Sequence, residues 1–195
     1  MKGVNDLDSL SINLELDAVN EMLSSIGEGA VNSLENLTDA DAINARSILQ
    51  RVNRQFQSRG WSFNSQEGYT FNADATTHKI LWNNDILYVE GNNNEKLIKR
   101  GLYMFDMASN TYKFNNSITA DVIMLVSFDD MPEQARAYIV AKSCTEFATR
   151  FVGDTELTSV LIKREQEAWQ YFHEYEMDNN DYNMLANSDV QAVTQ

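Results

Sequence analysis

Carboxylates are the most abundant reactive groups in this chain, with 29 Asp and Glu against 15 Lys and Arg. Two of them converging across a cleft would supply the acid/base pair of a glycoside hydrolase. The pairs Glu165/Glu167 and Glu174/Glu176 fall in a helical stretch and read as a solvated acidic face, and Asp129-Asp130 reads as helix-start chemistry. His78 and His173 lie in different elements with no second ligand near either, which is not the spacing of a metal site. Cys144 is the only cysteine, so neither an internal disulfide nor a cysteine-built zinc cage is available, and its place on an apolar helical stripe suits a small buried hydrophobe. Trp61, Trp82 and Trp169 have the rings to stack on sugars or bases, but packing is the ordinary use of such rings. No Gly-rich phosphate loop, His-Glu-x-x-His motif, nucleophile elbow or paired-cysteine motif occurs. The chain is therefore expected to have no catalytic set, no metal and no cofactor.

Charge is more informative than chemistry. The net charge of −14 opposes ordinary binding to nucleic-acid phosphate. It is also uneven: residues 1–41 carry −8, residues 42–66 carry +4 from four arginines with no acid, and residues 154–195 carry −7. One basic segment sits inside an acidic chain. Its 195 residues suit roughly one domain with a self-sufficient core. No apolar run approaches the ~20 residues of a membrane span, and the first residues lack the pattern of a signal peptide.

The elements that must position these groups follow from hydrophobic periodicity. Leu16, Val19, Leu23 and Ile26 predict a helix over 15–26, stopped at Gly27. A second helix begins after Thr38, with Asp39 and Asp41 favourable at its positive end, and runs to near Gly60. Ala45, Ile48, Leu49, Val52 and Phe56 share one side of it, while Arg46, Arg51 and Arg54 project from the other. From Trp61 to about Phe128 the period shortens to two. Trp61/Phe63, Tyr69/Phe71, Ile80/Trp82, Leu102–Phe105 and Tyr112–Phe114 read as strand material, and Val122–Val126 as a well-covered strand. Asp106–Thr111 reads as a hairpin connection, and the Asn-rich stretches 83–84, 92–94 and 115–116 as loops. Helical spacing returns after Pro132 with Ala137, Val140, Cys144, Phe147 and Phe151, as far as Gly153. Asp154 then caps a last helix to about Asp178, with Leu157, Leu161, Ala168, Phe172 and Tyr175 along one stripe.

The expected architecture is α+β. A single domain, 1–178, has N- and C-terminal helices (15–60 and 130–178) forming a bundle and a central antiparallel β-rich insertion (61–128). Residues 179–195 are expected to be a polar tail with Tyr182, Met184 and Leu185 as its apolar anchors, either an interface segment that orders on assembly or a disordered, frayed terminus.

Several segments taken in order carry a specific resemblance. Ala18–Glu28 is followed by Asp39–Arg46, then by Asn53–Asn64, then by Asp130-Met131-Pro132-Glu133, Tyr175-Glu176-Met177-Asp178 and Tyr182-Asn183-Met184-Leu185. This set, spanning about residues 15–185, resembles the tail tubular protein A family, the head-to-tail adaptors of short-tailed bacteriophages of the autographivirus type. The proline common in that family after the first helix's Ile-Gly-Glu is replaced here by Gly29-Ala30. The resemblance implies a virion structural protein made in the host cytoplasm and placed at the head-to-tail junction. There a homo-oligomeric ring of twelve copies would sit beneath the portal protein and continue the DNA channel into the nozzle formed by tail tubular protein B, with tail fibres attached nearby. DNA would pass through the lumen unbound, which a subunit of this charge favours by repulsion. The resemblance implies no cofactor and no catalytic set.

A closed ring needs two different surfaces that meet. The arginines at 46, 51 and 54 and the acidic helices at 1–41 and 154–178 are a complementary pair, either between copies or, as a solvated face pairing with its own acidic helices, within one subunit; on the first reading Arg46, Arg51, Arg54, Tyr182, Met184 and Leu185 are the expected interface residues. Two other classes remain open to the residues alone: an acidic DNA mimic that blocks a basic protein, and a tail-borne carbohydrate-degrading hydrolase.

Overall fold

The computed structural model describes residues 13–92 and 95–186, with side chains as far as Asn179. Its elements are the helices α1 (Leu14–Ser25), α2 (Ala40–Gln57), α3 (Glu133–Phe151) and α4 (Thr155–Ala186), and the strands β1 (Ser65–Phe71), β2 (Ile86–Gly91), β3 (Leu97–Arg100), β4 (Tyr103–Asp106) and β5 (Ile118–Met124). The fold is α+β with antiparallel sheets. The described residues fall into two compact units. One draws on residues 13–52 and 128–169, the other on residues 53–92, 95–127 and 170–186, and α2 and α4 contribute to both.

The first unit is helical, and its starts are set by side chains that take up orphan N–H groups. Asn13 accepts from Leu16 N–H at 2.9 Å, Asp39 from Ala42 N–H at 2.8 Å and Asp154 from Leu157 N–H at 2.9 Å, while Pro132 stands at the N-cap of α3. Ala45, Ile48, Leu49 and Val52 of α2 are buried, as their spacing requires. On α3 the buried stripe is Ala135, Ile139, Val140, Ser143, Cys144, Phe147 and Ala148. The expected ends of that stripe, Ala137 and Phe151, are exposed: Ala137 lines an open groove with Leu14, Ala18 and Val140, and Phe151 is the last residue of the helix. Helices α3 and α4 pair through Lys142–Glu165 at 3.2 Å and through Tyr138 and Trp169, whose ring centroids lie 5.0 Å apart.

The second unit holds both sheets. The first sheet has the order β1-β5-β2, and β3 pairs with β4 in the second. Phe71, Ile86, Val89, Ala120 and Val122 of the first sheet share one core with Ile80, Trp82, Leu97, Met104 and Phe114. Strand β5 lies between two partners and buries Ala120 and Val122, but it runs over Ile118–Met124 rather than the expected Val122–Val126; within that apolar run Val122 alone is buried, and Leu125 and Val126 lie beyond the strand. Asp106 organises the turn that follows β4. Its carboxylate accepts from the N–H groups of Lys96 (3.0 Å), Ala108 (2.9 Å) and Ser109 (3.2 Å) and from the Ser109 hydroxyl. Burial works to raise its pKa, but these donors outweigh burial and hold the carboxyl below its ordinary value.

Four sequence expectations are corrected. Trp61–Phe63 is a turn, because Trp61 packs against Phe56 (5.0 Å) and Phe172 (4.9 Å) instead of joining a ladder. Around Ile80–Trp82 the pairing is limited to one bridge, Leu81 with Tyr103, and at Tyr112–Phe114 no strand forms beyond the Asp106–Thr111 bridge. The main partner of β4 is instead β3, and β2 and β3, which bracket the Asn-rich stretch 92–94, are strands that the period-two pattern does not single out; Asn93 and Asn94 lie outside the described residues. Helix α4 does not stop at Asp178 but continues to Ala186, since no Gly or Pro follows Gly153 to end it.

Candidate assembly interface

The arginines of α2 divide into two groups. Arg46 donates to Glu15 Oε1 (3.1 Å) and to the Leu34 carbonyl (3.1 Å), and Gln50 joins it on the same carboxylate at 3.1 Å. Arg51 pairs with Glu146 of α3. Both are tied into the first unit and help to hold α1 and α3 to α2. Arg54, in the second unit, is exposed, and its guanidinium has no hydrogen bond or ion pair among the described residues; Arg59 is placed in the same way. The stripe that the helical period assigns to one outward face is thus engaged at its start and open at its end.

The backbone of Tyr182, Met184 and Leu185 lies in the last turns of α4, and their side chains are outside the described residues.

A buried polar group stands where α2 gives way to the strands. Gln57 is fully buried; its side chain donates to the Val126 carbonyl (2.9 Å) and to Asn53 (2.8 Å), and accepts from Val126 N–H (2.8 Å). Asn64 donates to the carbonyls of Gln57 (2.9 Å) and Met124 (2.8 Å) and accepts from Trp61 N–H (2.8 Å). Two amides therefore tie together the end of α2, the entrance to β1 and the exit from β5. Gly60 makes the approach possible. Its φ of +76° is left-handed, and a Cβ there would stand 2.8 Å from the Ile123 side chain.

The residues with catalytic potential are dispersed. Cys144 is buried, and desolvation, followed by the charge of Glu21, pushes its thiol up to about 12. His78 and His173 are exposed and far apart in sequence. Among the described residues no three His, Cys, Asp or Glu side chains are grouped to hold a metal ion, and no helix is long and apolar enough to cross a membrane. The carboxylates of α4 correct the expectation of a wholly solvated face: Glu165 pairs with Lys142, and Glu176 is buried against the turn at Ser62. Sequence reasoning missed Glu176 because its partner lies 114 residues away. It missed Gln57 and Asn64 because an amide in a core and an amide in a loop have the same local signature.

A family model described as "Tail tubular protein" matches residues 16–182. Tail tubular protein A of Klebsiella phage KP34 is 30% identical over 158 residues, covering 80% of this chain and 82% of that protein. The chain belongs to the tail tubular protein family, the structural components of bacteriophage tails.

Proposed function

We propose that the protein is the head-to-tail adaptor of its virion, a non-enzymatic subunit that forms a ring of twelve between the portal and the tail nozzle. The observation that carries this reading is the family match over residues 16–182, which takes in both helical segments and the β-rich middle rather than one shared motif. The charge supports it. A conduit must let duplex DNA slide, and a subunit with a net charge of −14 repels phosphate instead of holding it. DNA passes through the lumen without specific binding, the nozzle protein takes the lower face, and tail fibres attach close by.

Within this reading, Arg54 is the arginine of α2 free to reach a neighbour, while Arg46 and Arg51 brace the subunit's own helices before they serve any contact. The last turns of α4, with Tyr182, Met184 and Leu185, meet the portal or an adjacent copy. Native mass spectrometry of the protein alone and with its portal ring tests the proposal. Twelve copies joining one portal is the expected result. A folded dodecameric portal that captures none of the protein would overturn it, and competition with DNA for basic proteins or turnover of glycans would then be assayed directly.

A further inference from the structure

The two sheets of the second unit turn faces of opposite charge away from one core. On β5, Ile118, Ala120, Val122 and Met124 point inward, so Thr119, Asp121 and Ile123 point outward. The registers Glu90↔Asp121 and Tyr88↔Ile123 place Glu90 and Tyr88 on that same outer face. Glu67 completes a groove of about 230 Å³ there, in which Glu67, Glu90 and Asp121 are the carboxylates and no cation lines it among the described residues. Tyr88 is 51% exposed in it.

The outer face of the second sheet is the reverse. Arg100 and Tyr103 are register partners, and Leu81 bridges Tyr103 from the other side, so all three share the face turned away from Leu97 and Met104. The Arg100 guanidinium lies 3.8 Å from the Phe105 ring centroid, and Lys79 Nζ lies 5.0 Å from that of Tyr103 and 5.9 Å from that of Tyr112. Neither cation has a carboxylate partner among the described residues. Leu81 is 66% exposed beside them. Cations stacked on rings beside an uncovered leucine form a cohesive surface in a chain whose total charge is −14.

We infer that these two faces meet between copies, the acidic groove of one subunit receiving the Lys79–Arg100 face of the next. The occupant of each face is therefore a second copy of this chain. Inner faces that share one core leave outer faces looking opposite ways, and two unlike, complementary surfaces set back to back are what a head-to-tail closed ring requires. An acidic partner is needed by the cationic face and a basic one by the groove, and this chain presents both. The inference rests on the adaptor reading for the ring and adds which surfaces close it.

Charge reversal in two separate full-length variants tests it. Glu90→Lys/Asp121→Lys makes both faces positive, and Lys79→Glu/Arg100→Glu makes both negative. Each alone is expected to form at least about tenfold less ring on the portal than the wild type, and an equimolar mixture is expected to restore rings of alternating copies. If either variant fails to fold by circular dichroism, the surface variants Tyr88→Cys and Leu81→Cys, mixed and oxidised, are expected to cross-link between copies in assembled rings. Undiminished assembly of both reversed variants, reversed variants that the mixture does not rescue, or rings in which no disulfide joins positions 88 and 81 would overturn the inference while the wild-type rings keep the adaptor reading intact. A wild-type protein that never joins its portal would instead remove the adaptor reading itself.

Discussion

The carboxylate of Glu176, near the end of α4, accepts two hydrogen bonds from Ser62, at 2.6 Å from its backbone N–H and at 3.0 Å from its hydroxyl. Glu176 is 7% exposed, so this acceptor is held away from solvent. Beside it, Phe172 packs edge-on against both Phe56 (4.9 Å) and Trp61 (4.9 Å). One turn of α4 therefore anchors the Trp61–Asn64 turn through a carboxylate and a ring. Glu176→Ala is expected to lower stability by about 1–3 kcal/mol, because the half-buried Ser62 N–H and hydroxyl lose their acceptor. Glu176→Gln, which keeps one acceptor oxygen, should lose less. Urea unfolding midpoints at equal slope would measure the difference.

Arg46 and Arg54 are expected to separate stability from assembly. Arg46→Ala removes a half-exposed ion pair and the bond to the Leu34 carbonyl, so a loss of about 0.5–1 kcal/mol is anticipated in thermal unfolding. Arg54→Glu should leave the unfolding midpoint unchanged and reduce ring formation on the portal. A variant with normal assembly would place Arg54 on a purely solvated surface.

Cys144 supplies a probe of the first unit's core. Its buried, neutral thiol should resist iodoacetamide at pH 8 in the native protein and react promptly in urea. The raised folded-state value also has a sign for stability. As pH rises from the ordinary thiol value of 9.0 towards about 12, the unfolded chain loses this proton while the folded chain keeps it, so stability falls across that window. A Cys144→Ala variant should lose that part of the alkaline slope, as read from urea midpoints at pH 8, 9 and 10.

Truncation after Asp178 removes the last turns of α4 together with Tyr182, Met184 and Leu185. The expected outcome is a protein with native circular dichroism apart from the lost helix and with no attachment to the portal. A truncated protein that still joins portal rings would refute a contact role for this stretch.

The legible part of this fold is the part governed by local rules. The apolar spacing of α2, the Asp39 and Asp154 caps and Pro132 at the start of α3 each act within one or two turns, and each stands where the residues place it. The strands are less legible. Trp61 and Phe63 have strand composition, yet Trp61 is claimed by Phe56 and Phe172, a tertiary preference that outweighs propensity. β3 carries Lys99 and Arg100 in only four residues, too short and too charged to stand out as a strand. The candidate contact surface suffers twice. Helical period shows that Arg46, Arg51 and Arg54 share a side of α2, but Glu15 and Glu146, the carboxylates that engage two of them, come from distant segments. The acidic and cationic sheet faces are invisible in the sequence because register, which decides the face of every side chain, cannot be read without the pairing.

The Gln57–Asn64 tie has a consequence for how this protein can change over time. Because the same pair of amides holds the chain at Asn64, where the strands begin, and at Met124 and Val126, where they end, the whole excursion departs and returns at one narrow doorway. Between those posts, loops can lengthen and strands can be exchanged without moving either post. The segment behaves as a cassette, and a chimaera carrying a relative's strands between residues 65 and 123 should retain the wild-type helices while acquiring the relative's binding neighbours.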